Sequence, residues 1–183
     1  QYNIIDKFKK LNWKTPDLTD SKYVNSNIFF RKLTKIIKKN DAIVVDGGGT
    51  ALYTGFQSSY IKENQRIFCS SAISSMGTGL AETIGVYASN KFKKIYTIIG
   101  DGSMLMNIQD LQSISDLKIP AVICVINNNG YLAIRHTQES FLGGRYYGTH
   151  PEHNLGVLNF KKAADAFKIK YIKLSNPNEI DDV

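Results

Sequence analysis

"YTIIGDGSMLMNIQDL" (residues 96–111) and "VICVINNNGYLAI" (residues 122–134) decide how this chain is read. Each begins as an apolar, β-branched run and stops in a small polar cluster. The first ends in Gly100-Asp101-Gly102-Ser103 and the second in Asn127-Asn128-Asn129-Gly130. A lone carboxylate between two glycines is thus followed, 27 positions later (101 to 128), by an amide cluster. Both clusters stand at the ends of runs that read as buried strands.

Working outward, the same grammar repeats. Residues 25–40 carry Ile28, Phe29, Leu33, Ile36 and Ile37 at helical spacing, and "DAIVVD" (41–46) reads as a buried strand opening into Gly47-Gly48-Gly49-Thr50. A short apolar helix at 51–57, a brief strand in "RIFCS", a helix from Gly77 to Ser89 and the strand "KIYTIIG" follow. Then come a helix from Leu105 to Leu117, the strand "AVICVIN", a Gly-rich stretch (143–156), a helix from Asn159 to Phe167 and the strand "IKYIKL". Strands alternate with helices, and the strands are near-continuous apolar runs. That pattern predicts an α/β fold, a doubly wound parallel sheet with helices on both faces. Ligands of such folds bind beyond the carboxyl ends of the strands, where the clusters at 46–50, 100–103 and 127–130 lie.

The bulk numbers agree with one main domain. With 183 residues, 43% hydrophobic and 21% charged, the chain fills a single core comfortably. No run approaches the ~20 apolar residues of a membrane span, and the start at Gln1 has no signal-type apolar region. Residues 1–24 are polar and irregular, and we expect a connector from a missing upstream domain, with residues 25–183 forming the domain proper. Tyr2, Trp13 and Tyr23 suggest that the connector packs on something. Cys69 and Cys124 lack metal-type spacing and read as reduced thiols, consistent with a cytoplasmic protein. The formal charge of +7 comes from scattered lysines, without a basic stripe interleaved with aromatics. A solvated basic surface is therefore expected, with no nucleic-acid and no membrane partner.

The glycines do not fit a dinucleotide fingerprint. That motif wants G-x-G-x-x-G, yet the sixth position is Leu52 from Gly47, Glu82 from Gly77 and Leu105 from Gly100. The lysine of a nucleotide P-loop is also absent. A hard cation with a diphosphate fits better. Mg²⁺ takes about six oxygen ligands and is commonly held by a few protein groups plus phosphate. Asp101 offers a carboxylate, an Asn offers an amide oxygen and a turn carbonyl offers a third. A helix beginning after Ser103 would present N–H groups to the anion. Either cluster alone also fits an ordinary turn.

Gly100-Asp101-Gly102 followed by Asn127-Asn128 resembles the thiamin-diphosphate motif, a GDG and a paired Asn some two dozen residues apart. "SSMGTGLAETIG" (74–85) and "DAIVVDGGGTAL" (41–52) are similar to stretches of the same domain in the acetolactate synthase group. The resemblance covers roughly residues 25–180. It implies a diphosphate-binding domain that holds thiamin diphosphate and Mg²⁺, with Asp101, the Asn128 side chain and the Gly130 carbonyl on the metal. It places Gly49, Thr50, Gly100, Gly102 and Ser103 near the diphosphate, and Met76 under the bent cofactor beside Gly77, Tyr131 and Leu132. It further implies a pyruvate-like 2-oxo acid substrate, an acceptor left open, and a homo-oligomer. In such enzymes the activating glutamate sits on a pyrimidine-binding domain of a partner subunit. No stretch here resembles that domain, so no complete catalytic set is expected in this chain.

The sequence departs from the group at three places. His136-Thr137-Gln138 stands where the group carries Gln-Trp-Gln, and Gly79-Leu80-Ala81 replaces Gly-Leu-Pro ahead of Glu82. The chain stops at Asp181-Asp182-Val183, where a last helix and strand are expected. Residues 140–156 lie where a loop would cover substrate, with Arg145, Tyr146, Tyr147 and His136 as candidate contacts or plain surface. His150 and His153 lack a third zinc ligand. The alternatives are one subunit of a split 2-oxo acid decarboxylase and a non-catalytic binding module. Coding sequence upstream of Gln1 separates fused from split; salt-dependent nucleic-acid binding would favour the module.

Overall fold

The computed structural model describes residues 23–176 and Glu179. Four parallel strands, β1 (Ala42–Val45), β2 (Ile67–Phe68), β3 (Ile95–Gly100) and β4 (Ala121–Ile126), form one sheet in the order β2-β1-β3-β4. The helices are α1 (Ser26–Ile36), α2 (Gly49–Ser58), α3 (Thr78–Ala88), α4 (Asp101–Met106), α5 (Asp110–Asp116), α6 (Leu132–Phe141) and α7 (Phe160–Ala166), with a short 3₁₀ turn at Pro151–His153. No described helix is long and apolar enough to cross a membrane.

Side-chain alternation along each strand builds two cores. Ala42, Val44, Ile95 and Ile99 point to one face and pack with Leu80 and Val86 of α3, Met104 of α4 and Leu111 and Ile114 of α5. Ile43, Val45 and Ile98 point to the other and pack with Phe29, Phe30 and Leu33 of α1, Ile37 just after it, and Ala51 of α2. Both faces of the sheet are thus covered, which is why the strands read as unbroken apolar runs. The doubly wound α/β expectation holds for the described residues.

Several boundaries move, each for a local reason. The Asn25 side chain caps α1 by accepting from the N–H groups of Asn27 and Ile28. That helix stops at Ile36, short of Asn40; the Lys62 ammonium donates to the carbonyls of Thr34, Lys35 and Ile37 and satisfies its open end. The helix expected from Leu105 to Leu117 is two pieces that begin earlier, at Asp101. It breaks at Asn107, whose backbone leaves helical geometry (φ −137°, ψ 35°) while its amide donates to the Gly77 carbonyl at 2.8 Å. The run "IKYIKL" forms no ladder in the described sheet, and Tyr171 and Ile172 are exposed. Helix α6 was not anticipated. Residues 1–22 of the expected connector, with Tyr2 and Trp13, lie outside the described residues, as do 177, 178 and 180–183.

Candidate functional site

The register of β3 with β4 pairs Gly100 with Ile126 and so sets the two polar clusters side by side at the carboxyl edge of the sheet. Between them, with the tip of β1 on the other side, opens a solvent-connected cleft. Asp101 and Asn128 line it together, as do Gly49, Thr50, Met76, Gly100, Gly102, Ser103, Gly130, Tyr131 and Leu132. Of the residues that the resemblance assigns to cofactor or metal, Gly77 alone stays behind the wall. It is buried, its N–H donating to Asp46 and its carbonyl accepting from Asn107.

Asp101 starts α4 and is nearly buried, at 6% exposure. Its Oδ1 accepts from the Gly102 N–H at 2.9 Å and its Oδ2 from the Gly130 N–H at 2.8 Å. Burial raises its pKa above the ordinary 3.8, and backbone N–H groups, Gly130 foremost, oppose the rise without cancelling it. A carboxylate in that state gains from a cation placed against it.

The Asn loop is braced from several sides. Asn127 Oδ1 accepts from the Asn129 N–H at 3.1 Å, closing a side-chain turn, and Arg135 donates to the Asn128 carbonyl at 3.2 Å. Gly130 has φ +127°, and a Cβ there would fall 2.4 Å from the Thr149 carbonyl oxygen, so only glycine fits. The Asn128 side-chain oxygen is buried and has no hydrogen-bond partner among the described residues. A buried amide oxygen without a donor is costly unless something electropositive meets it. The donor set of Asp101 carboxylate and Asn128 oxygen fits a hard divalent cation. Among the described residues no three His, Cys, Asp or Glu side chains converge on one point, so a cation in this cleft relies on amide and backbone oxygens beside Asp101.

Sequence reasoning missed Asp46, Gly48 and the apolar wall of Ile126, Ala133 and Ile134. The last two belong to the unforeseen α6. Asp46 stood at a strand exit just as Asp101 does, and that was the available signal. The candidate substrate loop packs against the site through Thr149, whose carbonyl accepts from the Tyr131 N–H at 3.1 Å, but its candidate contacts do not reach the cleft. Tyr146 stacks on His153 at 5.0 Å, Arg145, Tyr147 and His136 are exposed, and none of the four lines the cleft. Gln138 instead anchors that loop, accepting from the Thr149 hydroxyl at 2.8 Å and donating to the Tyr147 carbonyl at 3.3 Å.

Residues 46–183 match the family described as the C-terminal TPP binding domain of thiamine pyrophosphate enzymes. The chain belongs to that family. The family's cofactor is thiamin diphosphate. Similar proteins include the acetolactate synthase large subunit of Porphyra purpurea, 33% identical over 123 residues, or 67% of this chain and 20% of the relative. The probable acetolactate synthase large subunit of Methanococcus aeolicus is 32% identical over 148 residues, 80% of this chain and 24% of that protein. That of Methanocaldococcus jannaschii is 28% identical over 187 residues, 97% of this chain and 30% of that protein. The chain therefore spans between a fifth and a third of the curated relatives it matches here.

Proposed function

We propose that residues 25–183 are the diphosphate-binding domain of a cytoplasmic thiamin-diphosphate enzyme of the acetolactate synthase type. Such an enzyme removes CO₂ from a pyruvate-like 2-oxo acid and passes the remaining fragment to an acceptor. One observation carries the reading: the Asp101 carboxylate and the unpartnered Asn128 oxygen face one cleft whose strand-exit segments contain no basic residue. Residues 46–50, 69–77, 100–103 and 127–131 hold neither Lys nor Arg. A diphosphate bound there needs its charge met by a metal ion, and Mg²⁺ with oxygen ligands is the natural choice.

In this reading Asp101, the Asn128 side chain and the Gly130 carbonyl hold Mg²⁺. Gly49, Thr50, Gly102 and Ser103 receive the diphosphate, and Met76 supports the rings. The cofactor, when bound, supplies an electron sink for loss of CO₂. The residues of this chain bind and orient it and exclude water with the apolar wall of Ile126, Leu132 and Ile134. The activating carboxylate and the pyrimidine-binding surface come from another domain, in a homo-oligomer. The chain by itself then turns over no substrate.

Calorimetric titration of thiamin diphosphate into the assembled parent, with Mg²⁺ and with EDTA, tests this. Binding that requires the metal supports the proposal; binding indifferent to EDTA overturns the metal assignment. Product analysis of the parent with pyruvate, with and without 2-oxo acid acceptors, tests the reaction class. Acetolactate-type products support it, and absence of CO₂ release from pyruvate and other 2-oxo acids overturns it.

A further inference from the structure

Asp46 ends the strand run at the tip of β1 and is completely buried. Among the described residues it has no ion pair. A fully buried carboxyl is tolerated only when its oxygens are well hydrogen-bonded. Here they are. Oδ2 accepts from the Gly48 N–H at 3.2 Å, while Oδ1 accepts from the N–H groups of Gly77 and Gly79 at 3.0 Å each. The Asp46 N–H itself donates to the Ile98 carbonyl at 2.9 Å, tying this clamp to the central strand β3.

The two oxygens serve different walls of the cleft. Gly48 leads into Gly49 and Thr50, the segment offered to the diphosphate. Gly77 follows Met76, and the Oδ1 bonds fix the backbone just behind that side chain. The walls also touch: a Cβ on Gly48 would lie 2.7 Å from the Met76 Cγ and 2.8 Å from the Ser103 Oγ. Movement of either wall is therefore felt by the other.

We infer that Asp46 is a positioning residue for the bound cofactor, holding from one rigid strand tip both the diphosphate-facing loop and the methionine-bearing loop. This rests on the thiamin-diphosphate reading of the cleft. The fork makes the inference specific. In Asp46→Asn the side chain keeps one oxygen and gains one NH₂. With the oxygen toward Gly77 and Gly79 two bonds survive, and the NH₂ then confronts the Gly48 N–H, donor against donor. The variant loosens the diphosphate side and spares the methionine side.

The test uses the full-length parent with saturating Mg²⁺ at low temperature, with folding of each variant verified by circular dichroism. For D46N we expect thiamin diphosphate affinity to fall roughly tenfold or more, the loss typical of a hydrogen bond to a charged group. Inorganic pyrophosphate, used as competitor, should lose affinity by a similar factor. Amide hydrogen exchange should quicken over residues 47–50 and remain unchanged over 74–79. A merely structural role would lower the melting temperature and leave affinity of the folded protein within twofold; that result, or equal exchange in both segments, overturns the inference. Should D46N not fold, Asp46→Glu, which keeps the charge and displaces both oxygens, is read the same way for affinity. Failure of the wild-type protein to bind thiamin diphosphate overturns the cleft reading instead, a separate outcome.

Discussion

Asp46 and Asp101 occupy equivalent places on neighbouring strands, each the first residue beyond an apolar run at the carboxyl edge of the sheet. Their surroundings assign them opposite work. Asp46 is fully buried and spends its oxygens on three backbone N–H groups, one from the turn after β1 and two from the start of α3. Asp101 accepts from Gly102 and Gly130, lines the cleft, and is left short of compensation, its pKa raised by burial. One carboxylate is saturated by the protein and organises it. The other is incompletely satisfied and available to a cation beside the orphaned Asn128 oxygen. Residue type and strand position alone do not distinguish a clamp from a ligand; the supply of donors does.

That contrast can be broken most directly at Asp101. Asp101→Ala in the parent should abolish metal-dependent cofactor binding, a loss on the order of 100-fold or more in affinity by calorimetry, since even support of metal ligands is worth 10–100-fold. Asn128→Ala should follow it, with a smaller loss. If D101A binds like wild type while D46N does not, the two roles have been exchanged.

Gly48→Ala comes next. Its added methyl would meet Met76 and Ser103 at 2.7 and 2.8 Å, forcing the two walls apart. Overpacking of this kind costs about 1–3 kcal/mol, to be seen as a lower melting temperature together with weaker cofactor binding. Gly102→Ala should cost a similar amount, because its Cβ would lie 2.5 Å from the Tyr131 ring. Here Tyr131→Ala in the same chain should restore part of the melting temperature. If the double variant melts no higher than G102A, the ring is not the obstacle.

The smallest effect sharpens the charge state of Asp46. The Cys69 thiol is pushed up by burial, then by the negative charges of Glu82 and Asp46. Negative neighbours disfavour the thiolate, so removing one lowers the pKa and raises the thiolate fraction at fixed pH. D46N should speed iodoacetamide labelling of Cys69 at pH 8. Cys124, pushed up to about 12 by burial, should stay unlabelled in the native protein and serve as internal control. An unchanged Cys69 rate would mean that the Asp46 side chain does not act on this thiol.

Much of this was legible in the chain itself. Unbroken apolar runs announced a sheet covered on both sides, and the polar clusters marked the strand exits, because burial and strand ends are written in local patterning. Asp101 and the Asn loop were marked by those clusters, whereas Met76, Gly130, Tyr131 and Leu132 came in only through the resemblance to the thiamin-diphosphate motif. Helix α6 was missed because Leu132–Phe141 is mostly exposed and its apolar residues, Leu132, Ala133, Ile134 and Phe141, are bunched at its two ends. The break at Asn107 was missed because its cause, the Gly77 carbonyl, lies 30 residues away in sequence.

The sequence by itself determined the α/β class, the strand exits and the chemical types gathered there. Only the tertiary structure decided which carboxylate is consumed by the fold and which faces the cleft. The partners of Asp46 at Gly77 and Gly79 are separated from it by 31 and 33 residues, and the Gly130 N–H from Asp101 by 29. Hydrogen-bond supply at a strand tip depends on which loops pack against it, a property of the assembled fold that no local pattern carries.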